Sequence, residues 1–300
     1  MNKLALTLSV AATVFAGAAF AQDTGTLKKI KDSGKIVMGV RDSSSPLSYT
    51  LGGGKYAGFH VELCEKAIES IKNQLKLPKL EIQYMPVTSQ NRIPLTENGT
   101  VDIECGSTTN NATRQKQVAF AYTTYITEVR TAVKASSNIT SIAQLKDRSV
   151  ATTTGTTSVQ HLRKHERAKG IDFKEIFGKD HADAFLLLES GRAEAFVMDD
   201  NILAGLIATA KNPADFRIVG EVLSVEPIAI MMRKDDPAFK KAVDGTIAAM
   251  VKSGEFEKLY TKWFMAPIPP RNTSVNLPMG ATLKAAIADL NDKPMEAYAK

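Results

Sequence analysis

Between positions 88 and 114 the chain gathers the groups needed to hold a small anion. Thr88-Ser89-Gln90-Asn91-Arg92 is followed by Val101-Asp102-Ile103-Glu104, then by Cys105-Gly106-Ser107-Thr108-Thr109 and Arg114. Hydroxyls and amides placed after a strand, with a guanidinium arriving from the next helix, replace water around an anion by directed hydrogen bonds. Ser107 and Thr109 each have one hydroxyl proton to give, and Arg114 can fork onto both oxygens of a carboxylate. Gly155-Thr156-Thr157-Ser158 opens a second candidate anion seat, because the N–H groups at a helix start face outward. Plain capping is the ordinary explanation of Thr and Ser at such a position and needs no ligand. Arg41, directly after an apolar strand pattern, and Arg92, in a turn, can both point into a cleft, whereas the ordinary alternative for an arginine is a solvated surface. Asp199 and Asp200 follow another strand pattern; one can meet a cation while the other caps the next helix, and Asp200 is better placed as the cap.

Other chemistries find less support. His161 and His165 are four apart on a helical pattern, a spacing that can present two imidazoles to one ion, but no third ligand accompanies them and a solvated helix face is the expectation. His60 has no evident partner. The sequence contains no G-x-S-x-G elbow, no P-loop and no H-E-x-x-H, the motifs that would announce an acyl-transfer, nucleotide or zinc enzyme. No metal and no cofactor is expected.

The elements that must carry these residues alternate. Residues 35–40 form a short apolar strand, Gly52-Gly53-Gly54 a turn, residues 59–75 an amphipathic helix and 80–86 a strand with Leu80, Ile82 and Tyr84 on one face. The pattern restarts with strands at 131–133 and 149–152, a short helix at 141–145, a helix at 157–169, a strand at 193–197, a helix at 200–211 and a strand at 217–220. It resumes with 228–233, a helix at 237–253 and an aromatic-rich one at 255–264. Alternation of this kind specifies an α/β protein, and the restart specifies two lobes. Every hydroxyl cluster named above follows a strand, where ligands of open α/β sheets sit.

Lys3, the alanine-rich apolar run 4–20 and Ala19-Phe20-Ala21 describe a secretory signal peptide cleaved after Ala21, with no cysteine at the boundary to take a lipid. The remaining chain is long enough for one large or two medium domains. With 38 basic and 32 acidic residues, loss of Lys3 leaves 37 against 32, an excess of +5. No basic run marks a nucleic-acid face. Export permits a disulfide between Cys64 and Cys105, and two buried small hydrophobes are the alternative.

At Ser89-Gln90-Asn91-Arg92-Ile93-Pro94, Glu104-Cys105-Gly106-Ser107-Thr108-Thr109-Asn110-Asn111, Gly155-Thr156-Thr157-Ser158, Lys179-Asp180-His181, Leu188-Glu189-Ser190-Gly191-Arg192-Ala193, Met198-Asp199-Asp200 and Ile268-Pro269-Pro270 the chain resembles the periplasmic solute-binding proteins of polar-amino-acid ABC importers. Within them it is most similar to the glutamate/aspartate receptors. The resemblance implies a two-lobed periplasmic-binding-protein fold of type II, each lobe a sheet flanked by helices, joined by a hinge of two crossings near 126–130 and 224–228. It implies a signal peptide at 1–21, a first lobe of 22–127 and 228–300, and a second lobe of 128–227. It places Arg41, Ser89, Arg92 and His181 around the side-chain carboxylate of bound glutamate or aspartate, Ser107, Thr109, Arg114 and Thr157 around the α-carboxylate, and Asp199 at the α-ammonium. The implied protein is a periplasmic monomer that gives its amino acid to a membrane ABC permease. It has no enzymatic activity and no nucleic-acid partner; the alternatives are a dehydratase-like enzyme or a ligand-sensing module on the same fold. The resemblance gives Cys105 no assured partner.

Overall fold

A computed structural model of the chain describes residues 25–298; the expected signal peptide lies outside the described residues. Helix α1 (Thr26–Ser33) leads into β1 (Lys35–Val40). A small antiparallel sheet follows, made of β2 (Ser43–Ser44), β3 (Ser48–Gly52) and β4 (Lys55–Ala57). Next come α2 (Phe59–Gln74), β5 (Glu81–Pro86), α3 (Arg92–Glu97), β6 (Ile103–Glu104) and β7 (Val118–Phe120). The second lobe holds β8 (Tyr125–Lys134), β9 (Ser149–Thr153), α4 (Thr157–Lys169), β10 (Lys174–Gly178), α5 (His181–Glu189), β11 (Ala195–Asp199), α6 (Asp200–Ala208) and β12 (Phe216–Ile228). The chain then returns through β13 (Met231–Arg233), α7 (Pro237–Ser253), α8 (Glu255–Tyr260) and α9 (Ala281–Ala288).

Each lobe is built on a five-stranded sheet. The first runs β5-β1-β6-β13-β7 and the second β10-β9-β11-β8-β12. In the first sheet β1 pairs in parallel with β5 and β6, and β13 returns antiparallel between β6 and β7. The late segment therefore belongs to the middle of the early sheet. Burial of Ile36, Met38, Val40, Ile103, Ile230 and Met232 with α2, α7 and an aromatic group of Phe59, Phe256, Tyr260 and Phe264 fills the first core. The second sheet is apolar on both faces, with Ala132, Phe196 and Leu188 on one side and Val133, Val150, Val197 and Leu162 on the other. Helices on both faces explain why its strands read as nearly continuous apolar runs.

Several boundaries differ from the sequence pattern. Strand β8 extends back to Tyr125, and β12 continues past 220 to Ile228, with a register shift between Val219 and Ser224. The two crossings are thus one long antiparallel ribbon, whose backbone pairing holds residues that apolar periodicity leaves as connectors. Strand β11 runs to Asp199, so this carboxyl stands at its carboxyl end. Helix α6 stops at Ala208, and the aromatic helix ends at Tyr260 and passes into a single π-helical turn at Thr261–Met265. Cys64, on α2, is bonded to Cys105, which follows β6. Of the two readings open in the sequence, the disulfide is the one the fold adopts, because α2 packs across the strand end and brings two buried thiols face to face.

Candidate functional site

The lobes meet at the carboxyl ends of β1, β6, β9 and β11. Gly155, at φ +81°, lies so close to the backbone of Gln90 that an added Cβ would stand 2.8 Å from its Cα. Only glycine fits that approach. At the rim of this contact a groove of about 660 Å³ opens between Ser89, Gln90 and Arg114 on one lobe and Thr154, Gly155 and Thr156 on the other; Arg41, Arg92, Ser107, Thr109, Thr157, His181 and Asp199 do not line it.

The nine site residues expected from the sequence are all buried, and they fall into three groups. Arg41 leaves the end of β1 and lies fully inside. Its Nη2 donates to Asp180 Oδ1 at 2.7 Å and to Ser89 Oγ at 3.0 Å, and stands 3.3 Å from His181 Nε2; its Nη1 donates to Ser107 Oγ at 3.4 Å. Asp180 also accepts from Ser43 Oγ at 2.5 Å. Burial would raise the Asp180 carboxyl, but the Arg41 guanidinium and the Ser43 hydroxyl, with His181 adding to them only where its ring is protonated, hold it down to about 2. Arg41 is thus already matched by an acid from the opposite lobe, a role for Asp180 that the sequence reading missed. His181, whose Nδ1 lies 3.0 Å from Thr153 Oγ1, is pushed down to about 3 by burial and then by Arg41. Its ring is neutral at neutral pH.

The second group carries the unmatched charges. Arg92 opens α3 and is buried, yet its Nε and Nη1 have no hydrogen-bond partner among the described residues. Burial, then repulsion from Arg114 and Arg41, pushes its guanidinium well below its ordinary value. Arg114 opens a 3-10 turn, pinned by its own amide to Asn111 Oδ1 at 2.8 Å and by Nη1 to the Thr109 carbonyl at 2.9 Å. Asp199 Oδ1 is likewise buried and unpartnered among the described residues. Burial first, then Glu226 and Asp200, raise it well above the ordinary carboxyl range. Its neighbour Asp200 is occupied, accepting from Asn201 N at 2.7 Å, Thr127 Oγ1 at 2.8 Å and Glu128 N at 3.3 Å. Asp200 ties α6 to β8, whereas Asp199 occupies the cap position of α6, which the sequence reading gave to Asp200, without a side-chain capping bond.

The third group was not legible in the sequence. Glu226, on β12, accepts from Thr109 Oγ1 at 2.6 Å and from Thr157 Oγ1 at 2.8 Å through the same oxygen, Oε2. Its Oε1 lies 2.8 Å from His161 Nε2, in a contact that lacks hydrogen-bond alignment. Two expectations change here. The Thr109 hydroxyl proton is directed to Glu226 and not into the cleft, and His161 is not on a solvated face. Thr157 and His161 are four apart on α4 and share a side; that face turns to β12. The i, i+4 relation of His161 to a site threonine was the available signal. His60 has partners too: Nδ1 lies 2.6 Å from the Gly106 carbonyl and Nε2 2.8 Å from Thr124 Oγ1. Burial pushes it down to about 4 against the Gly106 bond, so it braces the loop before Ser107 as a neutral ring. Among the described residues no group of three or more His, Cys, Asp or Glu could hold a metal ion.

A two-lobed α/β fold whose strand ends enclose a cleft of unmatched cationic and anionic groups defines a binding protein for a small charged solute. Comparison with known proteins agrees with that class. Residues 36–266 match the bacterial extracellular solute-binding proteins, family 3, and the chain belongs to that family. It is 45% identical over 294 residues to the glutamate/aspartate import solute-binding protein of Escherichia coli strain K12, covering 96% of this chain and 97% of that one. It is 47% identical over 292 residues to the L-glutamate/L-aspartate-binding protein of Pseudomonas aeruginosa strain PAO1, covering 97% and 96%. Among solved structures it resembles an ancestral amino acid-binding protein described as a precursor of cyclohexadienyl dehydratase, with TM-score 0.68, 27% identity, and 80% of this chain and 99% of that chain covered. The curated relatives at 45% and 47% identity are solute-binding proteins, and this chain is a binding protein, not an enzyme.

Proposed function

We propose that the chain is the periplasmic receptor of an ABC importer, that it binds L-glutamate or L-aspartate in the cleft between its lobes, and that it hands the ligand to a membrane permease. The observation that carries this reading is the coexistence, in one closed cleft, of an unpartnered buried guanidinium on Arg92 and an unpartnered buried carboxylate oxygen on Asp199. A neutral solute would leave both charges desolvated and unmatched, which is costly. An acidic α-amino acid supplies an anion to one and a cation to the other. Arg92, beside the Arg41, Ser89, Ser107 and His181 network, takes the side-chain carboxylate. Arg114, with the backbone N–H groups of Thr109 and Thr157 at the helix start, takes the α-carboxylate. Asp199 takes the ammonium. The names of the 45% and 47% identical relatives support the same ligand class.

On this reading residues 1–21 are a cleaved signal peptide, 22–127 with 228–300 form one lobe and 128–227 the other, and the receptor acts as a monomer. The lobes close around the ligand by bending at the β8 and β12 ribbon, since Arg92 and Arg114 stand on one lobe while Thr157, His181 and Asp199 stand on the other. Calorimetry of the mature protein against acidic, amide and neutral amino acids tests the assignment. Tight binding of glutamate or aspartate with glutamine and asparagine weaker by about two decades or more is the expected result. Glutamine within tenfold of glutamate refutes it.

A further inference from the structure

Glu226 is an acidic side chain with no exposed surface, in a position the ligand assignment does not use. It receives the hydroxyl protons of two threonines that stand on opposite lobes, Thr109 at 2.6 Å and Thr157 at 2.8 Å, through one oxygen. Its other oxygen faces His161 Nε2 at 2.8 Å. An ionised carboxylate only accepts, and a threonine hydroxyl has a single proton. Once both protons are given to Glu226, the two Oγ1 atoms, 3.4 Å apart, have only lone pairs left for anything else.

We propose that Glu226, held by His161, is a positioning residue that fixes the Thr109 and Thr157 hydroxyls as acceptors, so that they join Asp199 in reading the ligand's α-ammonium and cannot serve its α-carboxylate. A primary ammonium has three donor hydrogens, and Asp199 Oδ1, Thr109 Oγ1 and Thr157 Oγ1 are three acceptors. A carboxylate oxygen placed against the same pair would meet lone pair with lone pair. The site then demands an amino acid and discriminates against the dicarboxylate of equal length that lacks nitrogen. This deepens the ligand assignment above and rests on it.

The test compares glutamate with glutarate by calorimetry on folded protein, checked by circular dichroism, for wild type, Glu226→Met, Glu226→Gln and Thr157→Val. Methionine removes the acceptor and lets both hydroxyl protons turn into the cleft. Glu226→Met is expected to weaken glutamate by about tenfold or more while glutarate changes by less than about threefold. Glutamine keeps a carbonyl oxygen for the threonines while its amide turns to His161, so Glu226→Gln is expected to keep the glutamate-to-glutarate ratio within about threefold of wild type. Thr157→Val removes an acceptor without touching Glu226 and is expected to lower the ratio; it decides the matter if Glu226→Met does not fold. Equal loss of both ligands in Glu226→Met would mean that Glu226 only holds the lobes together, and a collapse of the ratio in Glu226→Gln as deep as in Glu226→Met would mean that its charge acts and not the hydroxyl polarity. Either overturns the proposal, as does an unchanged ratio in Thr157→Val. A wild-type protein that binds some other α-amino acid refutes the acidic-ligand assignment alone, and the ratio is then read on that amino acid and its desamino counterpart.

Discussion

Replacing Arg92 by methionine should make the empty protein more stable and the loaded one scarcely form. With the lobes in contact Arg92 is 2% exposed, and its Nε and Nη1 donate to nothing among the described residues. Arg114 and Arg41 repel it, and Glu104 and Asp199 offset part of that repulsion. An arginine does not shed its proton in a protein, so its unpaired donors are satisfied when an anion arrives to accept from them. A buried donor without a partner costs about 1–3 kcal/mol, and Arg92 has two. Methionine fills most of the same volume without polar atoms, while the shorter chain returns part of the gain as a packing defect. A net stabilisation of about 2 kcal/mol follows, or a rise of roughly 4–8 °C in melting temperature for a chain of this size. The ligand's side-chain carboxylate, in contrast, would enter the cleft with its partner removed, at a cost of about 3–5 kcal/mol, or roughly two to three and a half decades of affinity. Glutamate at a thousand times its wild-type dissociation constant should stabilise wild type by about 4 kcal/mol and Arg92→Met by no more than about 1 kcal/mol at the same concentration. Thermal melts with and without glutamate, paired with calorimetry, read both effects. A variant that melts below the wild type without ligand, or that keeps the glutamate shift, would show that Arg92 is a structural group and not the carboxylate's partner.

Arg114→Ala should abolish binding of every α-amino acid, whereas Arg92→Met should spare glutamine relative to glutamate; equal losses across both ligands in calorimetry would contradict the two roles. Reducing the Cys64–Cys105 bond, which closes a loop with a sequence separation of 41, should cost about 2–4 kcal/mol of stability, measurable as a lower denaturant midpoint. His60 and His181 are both held below their ordinary value of 6.5, to about 4 and about 3. The unfolded chain therefore takes up protons that the native protein refuses as pH falls below 6.5. Stability should decline toward pH 4 by up to about 1.4 kcal/mol per pH unit for each ring, and chemical denaturation across pH 7 to 4 should show a smaller slope in His60→Gln, with an unchanged slope speaking against a buried neutral His60.

The alternation of short apolar strands with amphipathic helices, and its restart after the first hundred residues, specified two α/β lobes from local information alone. The same local information put Ser89, Ser107, Thr109 and Thr157 after strands, because period and turn chemistry depend only on neighbours a few residues away. Arg41, Arg92, Arg114 and Asp199 were legible as candidates through residue type and the family motifs. Which of them would be matched and which left unmatched was not. Asp180 neutralises Arg41 from the other lobe, 139 residues away, and no pattern in one dimension predicts that Arg92 Nε and Nη1 find no hydrogen-bond partner among the described residues. Glu226 was missed for the same reason. It lies in a stretch that reads as a connector, and it becomes a site residue only because β12 pairs with β8 along its length and carries the carboxylate between Thr109, 117 residues earlier, and Thr157, 69 residues earlier. The cysteine pair likewise waited on the packing of α2 over the end of β6. Sequence determines the inventory of donors, acceptors and charges with their local setting, while pairing among buried charges depends on distances that exist only once long-range strand order has closed the two lobes on each other.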